Sequence, residues 1–278
     1  MALIGRFNSL QVVKHTDFGL YLDGGPDGEI LLPKRYVPKG EPCEIGDWLN
    51  VFVYLDSEDR IIATTQTPKV QVGGFASLKV VEISHVGLFL DWGLPKDLFL
   101  PHSEEKRPLQ VGDYCVVHVY LDARTRRITA TARLDRYLDK TPPNYTPGQA
   151  VELLVVERTD LGFKAIVNGK HWGLIHKNEL FKFLRPGMQE SGYIREVRAD
   201  GKISLSLQPI GKVAADSLGE QILAKLREEG GSLALSDKSP PEVISRLFGV
   251  SKGNFKKAIG ALYKQGLIVI LDERIELR

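Results

Sequence analysis

Cysteine is scarce in this 278-residue sequence, which has only Cys43 and Cys115, far apart along the chain. A disulfide framework is therefore excluded, and a zinc site, which needs several closely spaced Cys or His ligands, is not expected. No apolar run approaches the roughly 18 residues of a membrane-spanning helix. The first residues also lack the basic segment and apolar core of a secretion signal. These absences predict a soluble cytoplasmic protein without membrane contact, metal or other cofactor.

The motifs of common catalytic sites are missing as well. The sequence has no G-x-x-x-x-G-K-[ST] phosphate loop, no G-x-S-x-G nucleophile elbow, no H-E-x-x-H zinc motif and no paired CxxC. Gly24-Gly25 belongs to a turn without a following helix, so it does not form a dinucleotide-binding loop. We therefore expect a protein that is not an enzyme.

Neither sign of charge is in excess overall, because 37 Lys and Arg are balanced by 35 Asp and Glu. The balance changes along the chain, with net charges of −3 for residues 1–70, +1 for 71–145, +3 for 146–213 and +1 for 214–278. Binding of a polyanion is expected to concentrate in the C-terminal half. The acidic first segment is more suited to a scaffold or to contact with another protein.

The chain contains an internal repeat. Phe18-Gly19-Leu20-Tyr21-Leu22-Asp23 recurs 68 residues later as Val86-Gly87-Leu88-Phe89-Leu90-Asp91. Val53-Tyr54-Leu55-Asp56 recurs without change as Val119-Tyr120-Leu121-Asp122. Because several motifs match in the same order at nearly constant spacing, the sequence holds tandem copies of one small unit.

A third copy is more diverged, with Leu161-Gly162-Phe163, Gly173-Leu174-Ile175-His176 and Ile203-Ser204-Leu205-Ser206-Leu207 in the same order. All copies have short runs of alternating apolar residues, rich in β-branched and aromatic types, which indicates strands. About five strands per unit favour a small closed barrel, because closure removes exposed sheet edges. A large β-sandwich is the alternative, but it would not explain the repeat. We predict barrels over residues 1–70, 71–145 and 146–213, with linkers near Lys69–Gly74 and at residues 141–147.

The last segment, residues 214–278, has a helical pattern instead. Three helices are predicted, from Ser217 to Glu229, from Ser239 to Phe248 and from Ser251 to about Lys264. Ser239 and Ser251 are the expected caps of the second and third helices. Leu267–Leu271 and Arg274–Leu277 follow as two strands around a turn. Three helices followed by a hairpin predict a winged-helix domain, a variant of the helix-turn-helix. The fold class is therefore mainly β, with a C-terminal α+β domain.

These motifs carry a family resemblance. Gly173-Leu174-Ile175-His176-Lys177-Asn178-Glu179-Leu180 resembles the Gly-Leu-Val-His-x-Ser-Glu-Leu signature of S1 RNA-binding domains, which are OB-fold barrels. Phe18-Gly19-Leu20-Tyr21 is similar to their aromatic-Gly-x-aromatic strand. The whole chain resembles the conserved virulence factor B (CvfB, or YitL) family of bacterial RNA-binding regulators, most specifically from Leu247 to Lys264. The resemblance implies three S1-like OB barrels followed by a winged helix.

The resemblance also implies a binding site in each barrel. In S1 domains, bases stack on aromatic rings around the bend glycine, while a histidine and basic side chains complete the site. The matching residues are Phe18, Tyr21, Asp56 and Arg60 in the first barrel, Phe89, Asp122 and either Arg126 or Arg127 in the second, and Lys164, His176, Lys177 and Lys202 in the third.

The sequence departs from the S1 pattern in places. The first two repeats have Leu-Pro where the signature histidine is expected, so RNA contact is implied less strongly there. The aromatic rings could instead fill the barrel cores, His176 could be structural, and the arginines of the second barrel could form a solvated hairpin tip. Trp48 and Tyr114 occupy equivalent positions and are expected to pack structurally, whereas Trp172, beside the signature, could either pack or stack.

The third predicted helix of the C-terminal domain has a basic surface. Lys252, Lys256 and Lys257 share part of one face near its N-terminal half, which suits contact with phosphates. Asn254 is the polar side chain there that is best suited to reading base edges. Winged helices also dock onto proteins or neighbouring domains, so both roles stay open.

The leading hypothesis is a non-catalytic RNA-binding protein that prefers single strands, with little base specificity. The family resemblance implies post-transcriptional regulation of gene expression. One alternative is an adaptor that binds protein on the ribosome or RNA polymerase. Another is a transcription regulator that binds DNA through the winged helix.

Overall fold

The computed structural model describes residues 1–40, 43–141, 143–180, 182–209 and 212–278, apart from the side chains of Asn178 and of residues 212–217. The chain forms two compact units, residues 1–137 and residues 138–278. The first unit contains two barrels, and the second contains a third barrel and a small α+β region. The four segment limits drawn from the sequence stay a prediction, and Pro142 of the predicted linker lies outside the described residues.

Each repeat closes into a five-stranded barrel, as predicted. Within each barrel the strands follow the order first, second, third, fifth, fourth, and only the pair of third and fifth strands is parallel. This arrangement is the OB fold. The first barrel comprises β1 (Arg6–Thr16), β2 (Gly19–Asp23), β3 (Glu29–Pro33), β4 (Trp48–Leu55) and β5 (Ile61–Thr64). The second comprises β6 (Phe75–Ile83), β7 (Gly87–Asp91), β8 (Leu98–Pro101), β9 (Tyr114–Leu121) and β10 (Ile128–Thr131). The third comprises β11 (Ala150–Thr159), β12 (Gly162–Val167), β13 (His171–His176), β14 (Gln189–Val197) and β15 (Ile203–Ser206).

A glycine begins the second strand of every barrel because the backbone of the third strand passes too close for a side chain. A Cβ atom at Gly19, Gly87 or Gly162 would lie 2.1, 2.4 or 1.9 Å from a carbonyl oxygen of the facing strand. The residue before each glycine, Phe18, Val86 or Leu161, accepts a backbone hydrogen bond from the residue that follows the third strand. The glycine of the repeat motif therefore fixes the contact between the first bend and the turn after the third strand.

The first two barrels pack on each other through the outer face of β4. Phe52 and Tyr54 point away from their own barrel and are buried in the hydrophobic core of the second one. The Phe52 ring contacts Trp92 edge-on at 5.8 Å and Phe7 at 5.5 Å, measured between ring centroids. The apolar core of the second barrel therefore includes side chains of the first.

His118 occupies the position of Phe52 in the second barrel, and it is also buried. Its ring stacks on Tyr137 with centroids 4.0 Å apart and lies 4.6 Å from Phe75. Its Nδ1 atom has no hydrogen-bond partner in the described part of the chain. Burial lowers the pKa of His118 from 6.5 to about 4, so the ring is neutral at neutral pH.

The C-terminal region contains α1 (Lys212–Glu228), α2 (Pro241–Phe248) and α3 (Lys252–Lys264), with a sheet of β16 (Ser232–Leu233), β18 (Ile275–Leu277) and β17 (Ile268–Ile270) in that order. Ile222, Phe255 and Ile259 are among the buried residues of its core. Three helices followed by a hairpin confirm the predicted winged-helix arrangement.

Several helix ends differ from the prediction. Helix α1 begins at Lys212, five residues before the predicted start. Pro240, not Ser239, caps α2, and the Ser239 hydroxyl accepts a hydrogen bond from the Ser236 backbone instead. Ser251 caps α3 as predicted, with its hydroxyl accepting from the backbone of Asn254. Strand β16 was not predicted, because a strand of two residues is too short to show an alternation of apolar and polar side chains.

Within the described residues, no helix is both long enough and apolar enough to cross a membrane.

We expect the buried imidazole of His118 to make the first unit sensitive to acid. The unfolded chain takes up a proton near pH 6.5 and the folded chain only near pH 4, so stability falls as the pH drops between these values. Lowering the pH from 7 to 4.5 should remove about 2–3 kcal/mol through this residue. His118→Phe restores the residue found at the equivalent position of the first barrel and should flatten this dependence. Calorimetric melting at several pH values measures the effect, and an unchanged slope in the variant would contradict it.

Candidate nucleic-acid interface

The predicted stacking residues of the first barrel lie outside its core. Phe18, at the bend before β2, is 75% exposed. Tyr21 points outward from β2 beside Leu31 of β3, and the Lys14 ammonium lies 5.4 Å from the centre of its ring. The barrel therefore presents two rings and a cation on one side, an arrangement that can stack a base and hold a phosphate.

Arg60 is held in place by Asp56 at the tip of the hairpin between β4 and β5. Its guanidinium lies 2.8 Å from the Asp56 carboxylate, yet the arginine side chain is 68% exposed. Burial raises the pKa of Asp56, but hydrogen bonds from Arg60 outweigh this effect and leave the pKa below its ordinary value. The pair is therefore charged at neutral pH, and the outer side of Arg60 faces solvent.

The second barrel has two adjacent rings on its outer face. Phe89 of β7 lies opposite Phe99 of β8, with ring centroids 5.5 Å apart. Phe99 was missed from the sequence, although its register with Phe89 could have indicated it. Glu82 stands across from Phe89. Asp97 has a raised pKa because of burial and of the nearby carboxylates of Asp91 and Glu82. This acidic surrounding disfavours phosphate contact.

The predicted arginines of the second barrel contact the first barrel. Arg127 pairs with Asp59, and an Arg126 guanidinium nitrogen lies 3.5 Å from the Asp27 carboxylate. Lys96 joins them with its ammonium 3.0 Å from Asp59. Hydrogen bonds from Lys96 and Arg127 lower the pKa of Asp59. The hairpin tip between β9 and β10, which also carries Asp122, is therefore an inter-barrel contact as well as a solvated turn.

The third barrel places a cation over a ring. The Lys164 ammonium lies 3.8 Å from the centre of the Trp172 ring and 3.9 Å from the Glu157 carboxylate. His176, half-buried at the end of β13, has its Nε2 atom 3.5 Å from the Ser204 hydroxyl. These side chains occupy the outer face of β12, β13 and β15, where the resemblance implies the S1 site.

The remaining predicted residues of the third barrel lie at the rim of this face. Lys177 is exposed in the turn after β13. Lys202 is exposed too, and its ammonium is 2.9 Å from the Asp200 carboxylate. Phe183 was missed from the sequence, although it is 79% exposed and is flanked by Lys182 in the chain. An exposed ring between basic residues was the signal that could have identified it.

The expectation that Trp48 and Tyr114 pack structurally is wrong. They are 66% and 61% exposed. Both lie at the start of a fourth strand and point outward, opposite Gln11 and Lys79 respectively. Side chains alternate between the inner and outer faces of the strand, and both rings fall on the outer face. In the first barrel, the second barrel covers this face only farther along β4, at Phe52.

The basic residues of α3 are largely engaged within the region itself. Lys256 lies 3.2 Å from the Asp237 carboxylate, and Lys252 donates to the backbone carbonyl of Lys238. Asn254 donates to the side-chain oxygen of Gln208 at 2.8 Å, next to the third barrel. Lys257 is exposed, and the described residues offer it no ion pair. The best base-reading candidate is therefore occupied, whereas the surface predicted to contact phosphates is partly open.

No group of three or more His, Cys, Asp or Glu side chains suited to a metal ion occurs among the described residues.

Comparisons with known families match the first two barrels and the C-terminal region. The model of the S1 domain matches residues 4–66 and 72–132, which cover the first two barrels. The model of the CvfB-like winged helix domain matches residues 220–277. Both are families of nucleic-acid-binding domains, and neither is a catalytic family.

Full-length relatives are found among bacterial proteins. The protein YitL of Bacillus subtilis strain 168 is 32% identical over 279 residues, covering 95% of this chain and 90% of its own. Conserved virulence factor B of Staphylococcus aureus strain USA300 is 26% identical over 285 residues, covering 99% and 94%. A crystal structure of a multidomain protein with nucleic acid binding domains from Streptococcus pneumoniae TIGR4 covers 99% of this chain and 98% of its own, at 25% identity and a TM-score of 0.45.

The ion pairs of Arg126 and Arg127 indicate a role in the contact between the first two barrels, which can be tested. Replacing both by alanine should speed hydrogen exchange in the hairpin around Asp59, because Asp59 loses Arg127 and retains Lys96 as its charged partner. Exposed pairs contribute roughly 0–1 kcal/mol each, so the effect should be local and small. Arg124→Ala, in the same hairpin, is the matched control. Equal exchange in the double variant and the control would contradict a role in barrel contact.

Proposed function

Because the chain belongs to the conserved virulence factor B family, we propose that it binds single-stranded RNA and regulates gene expression after transcription in the bacterial cytoplasm. The observation that carries the proposal is the cluster of Lys164, Trp172 and His176 on the third barrel. A ring, a cation and an imidazole share one outer face there, and the segment around them has a net charge of +3.

Single strands fit this surface better than duplexes. A base can stack on Trp172 or His176 only when its face is free, which requires unpaired nucleotides. Lys164, Lys177 and Lys202 are placed to meet phosphates, which all sequences share. Little base specificity is therefore expected, together with strong weakening by salt as counterions are released.

The first barrel is proposed as a second, weaker contact. Phe18, Tyr21 and Arg60 offer the same combination of ring and cation. The acidic balance of its segment opposes binding of a polyanion. Phe89 in the second barrel has a ring partner in Phe99 but is surrounded by carboxylates, so it ranks below both.

The winged helix is proposed to extend the phosphate contacts. Lys256 and Lys257 lie on the outer side of α3, whereas Asn254 is bound to Gln208. This arrangement favours sequence-independent contact over the reading of duplex DNA.

An adaptor role is the second candidate, favoured by the exposed Trp48 in the acidic first barrel. Its proposed partner is a protein of the ribosome or of RNA polymerase. A pull-down of either that survives nuclease treatment, and that Trp48→Gln abolishes, would support it. Loss of the partner on nuclease treatment would assign the association to RNA.

We predict that His176→Ala and Lys164→Ala weaken RNA binding more than Tyr21→Ala does. Loss of one stacking or charged contact should reduce affinity about 5- to 150-fold, given roughly 1–3 kcal/mol per stacked base. Fluorescence titration of a labelled single-stranded oligoribonucleotide at low salt measures the ranking. The reverse ranking would place the main site on the first barrel, and no binding to any single-stranded RNA would overturn the proposal.

We also predict that Lys256→Glu combined with Lys257→Glu weakens RNA binding and makes it less dependent on salt, because two phosphate contacts are lost. The same titration at several salt concentrations gives the slope. Loss of duplex DNA binding with RNA binding unchanged would instead support a DNA-binding regulator.

A further inference from the structure

The end of the second barrel is closed differently from those of the other two. In each barrel a short 3-10 turn follows the third strand, and the next residue donates a hydrogen bond back to the first residue of that turn. This next residue is Val37 in the first barrel and Leu180 in the third, and both side chains pack against their barrel cores. The equivalent residue of the second barrel is Glu105. A carboxylate therefore occupies the position at which the other two barrels have an apolar side chain packed against the core. We call the residue at this position the plug residue.

The Glu105 carboxylate is fixed by a histidine. Its side chain is only 13% exposed and pairs with Nδ1 of His102. The other ring nitrogen of His102 lies 2.8 Å from the carbonyl oxygen of Ser84, which can only accept. Two acceptors around one imidazole favour the doubly protonated ring, and the hydrogen bond that the ring donates to Glu105 raises the pKa of His102.

A cleft of about 470 Å³ opens beside this pair. Ile83, Leu88 and Pro108 give it an apolar wall, and Lys106 and Arg107 line its rim. Its volume falls within the range of small-molecule sites. The cleft lies at the end of the barrel, whereas the rings of Phe89 and Phe99 lie on the side wall, so the two surfaces are distinct.

We infer that this cleft binds a guanine nucleotide. Counting His102 as an imidazolium, the lining side chains carry three positive charges and one negative charge, which suits an anionic ligand. The apolar wall suits the flat face of a base. Guanine offers two adjacent N–H donors on one edge, and the carboxylate of Glu105 can accept both. Lys106 and Arg107 are placed to meet the phosphate.

The inference goes beyond the proposed function because it concerns a small ligand and a different part of the barrel. The same chemistry is available from a free guanine nucleotide or from a guanosine 5′-phosphate at the end of an RNA. Both sources present one base edge and one terminal phosphate, and the experiment must distinguish them.

Isothermal titration calorimetry of the full chain with GMP tests the inference. We expect saturable binding, at least about tenfold weaker binding of UMP, and still weaker binding of inorganic phosphate. Glu105→Leu introduces the apolar residue type of the other barrels and should abolish GMP binding, while binding of an oligoadenylate without a terminal guanosine stays unchanged. Arg107→Ala should weaken GMP binding about tenfold, with Arg124→Ala as the matched control.

Oligoadenylates with a 5′-phosphorylated guanosine or uridine at the end distinguish the sources. A preference for terminal guanosine that Glu105→Leu removes would assign the site to RNA ends, and GMP binding without this preference would assign it to free nucleotide. The inference is overturned if GMP shows no saturable binding at millimolar concentration, if UMP binds equally well, or if Glu105→Leu binds GMP like the unmodified chain. None of these results depends on the His176 surface of the third barrel.

Discussion

The close approach of two backbones at one glycine is the constraint on which each barrel depends. At Gly19, Gly87 and Gly162 the facing carbonyl oxygen occupies the space of a side chain, so no other residue fits. This approach bends the chain between the first two strands and joins the bend to the turn after the third strand. In all three barrels this contact therefore keeps the turn after the third strand close to the outward side chains of the second strand.

The same backbone carries different surfaces because the outward positions are free to change. The position of Tyr21 is Phe89 in the second barrel and Lys164 in the third, and the position of Phe52 becomes His118. Inward positions stay apolar in every copy, since the barrel interior has room only for packed side chains. The surface chemistry of the three copies therefore differs through exchange of outer residues and of plug residues such as Glu105.

Local features of the fold could be predicted from the sequence. Alternation and the repeated glycine indicated the barrels, and Ser251 indicated the start of α3, because each depends on neighbours in the chain. Contacts between barrels could not be predicted in this way. Trp48 and Phe52 lie on the same face of β4, yet one is exposed and the other is buried by residues far away in the sequence.

The candidate site was predictable to the same extent. The resemblance identified Lys164 and His176 and left the role of Trp172 open. Strand register brings Trp172 onto their face and puts Phe99 beside Phe89 in the second barrel, which single motifs do not encode. Arg127 matched the expected pattern, and its partner Asp59 belongs to another repeat. A motif indicates which side chains face outward, while the charges that meet them are decided by how whole barrels pack.

Because the core of the second barrel includes side chains of the first, the duplicated unit is one repeat, whereas the folding unit comprises two. A fragment ending near residue 70 would contain one complete repeat, yet it would expose Phe52 and Tyr54 to water and leave Asp59 without its partners. Such a fragment is prone to self-association, because apolar surface that evolved to be covered is bare. Recombination that exchanges single repeats between relatives would meet the same penalty, so the first two copies are expected to be inherited together.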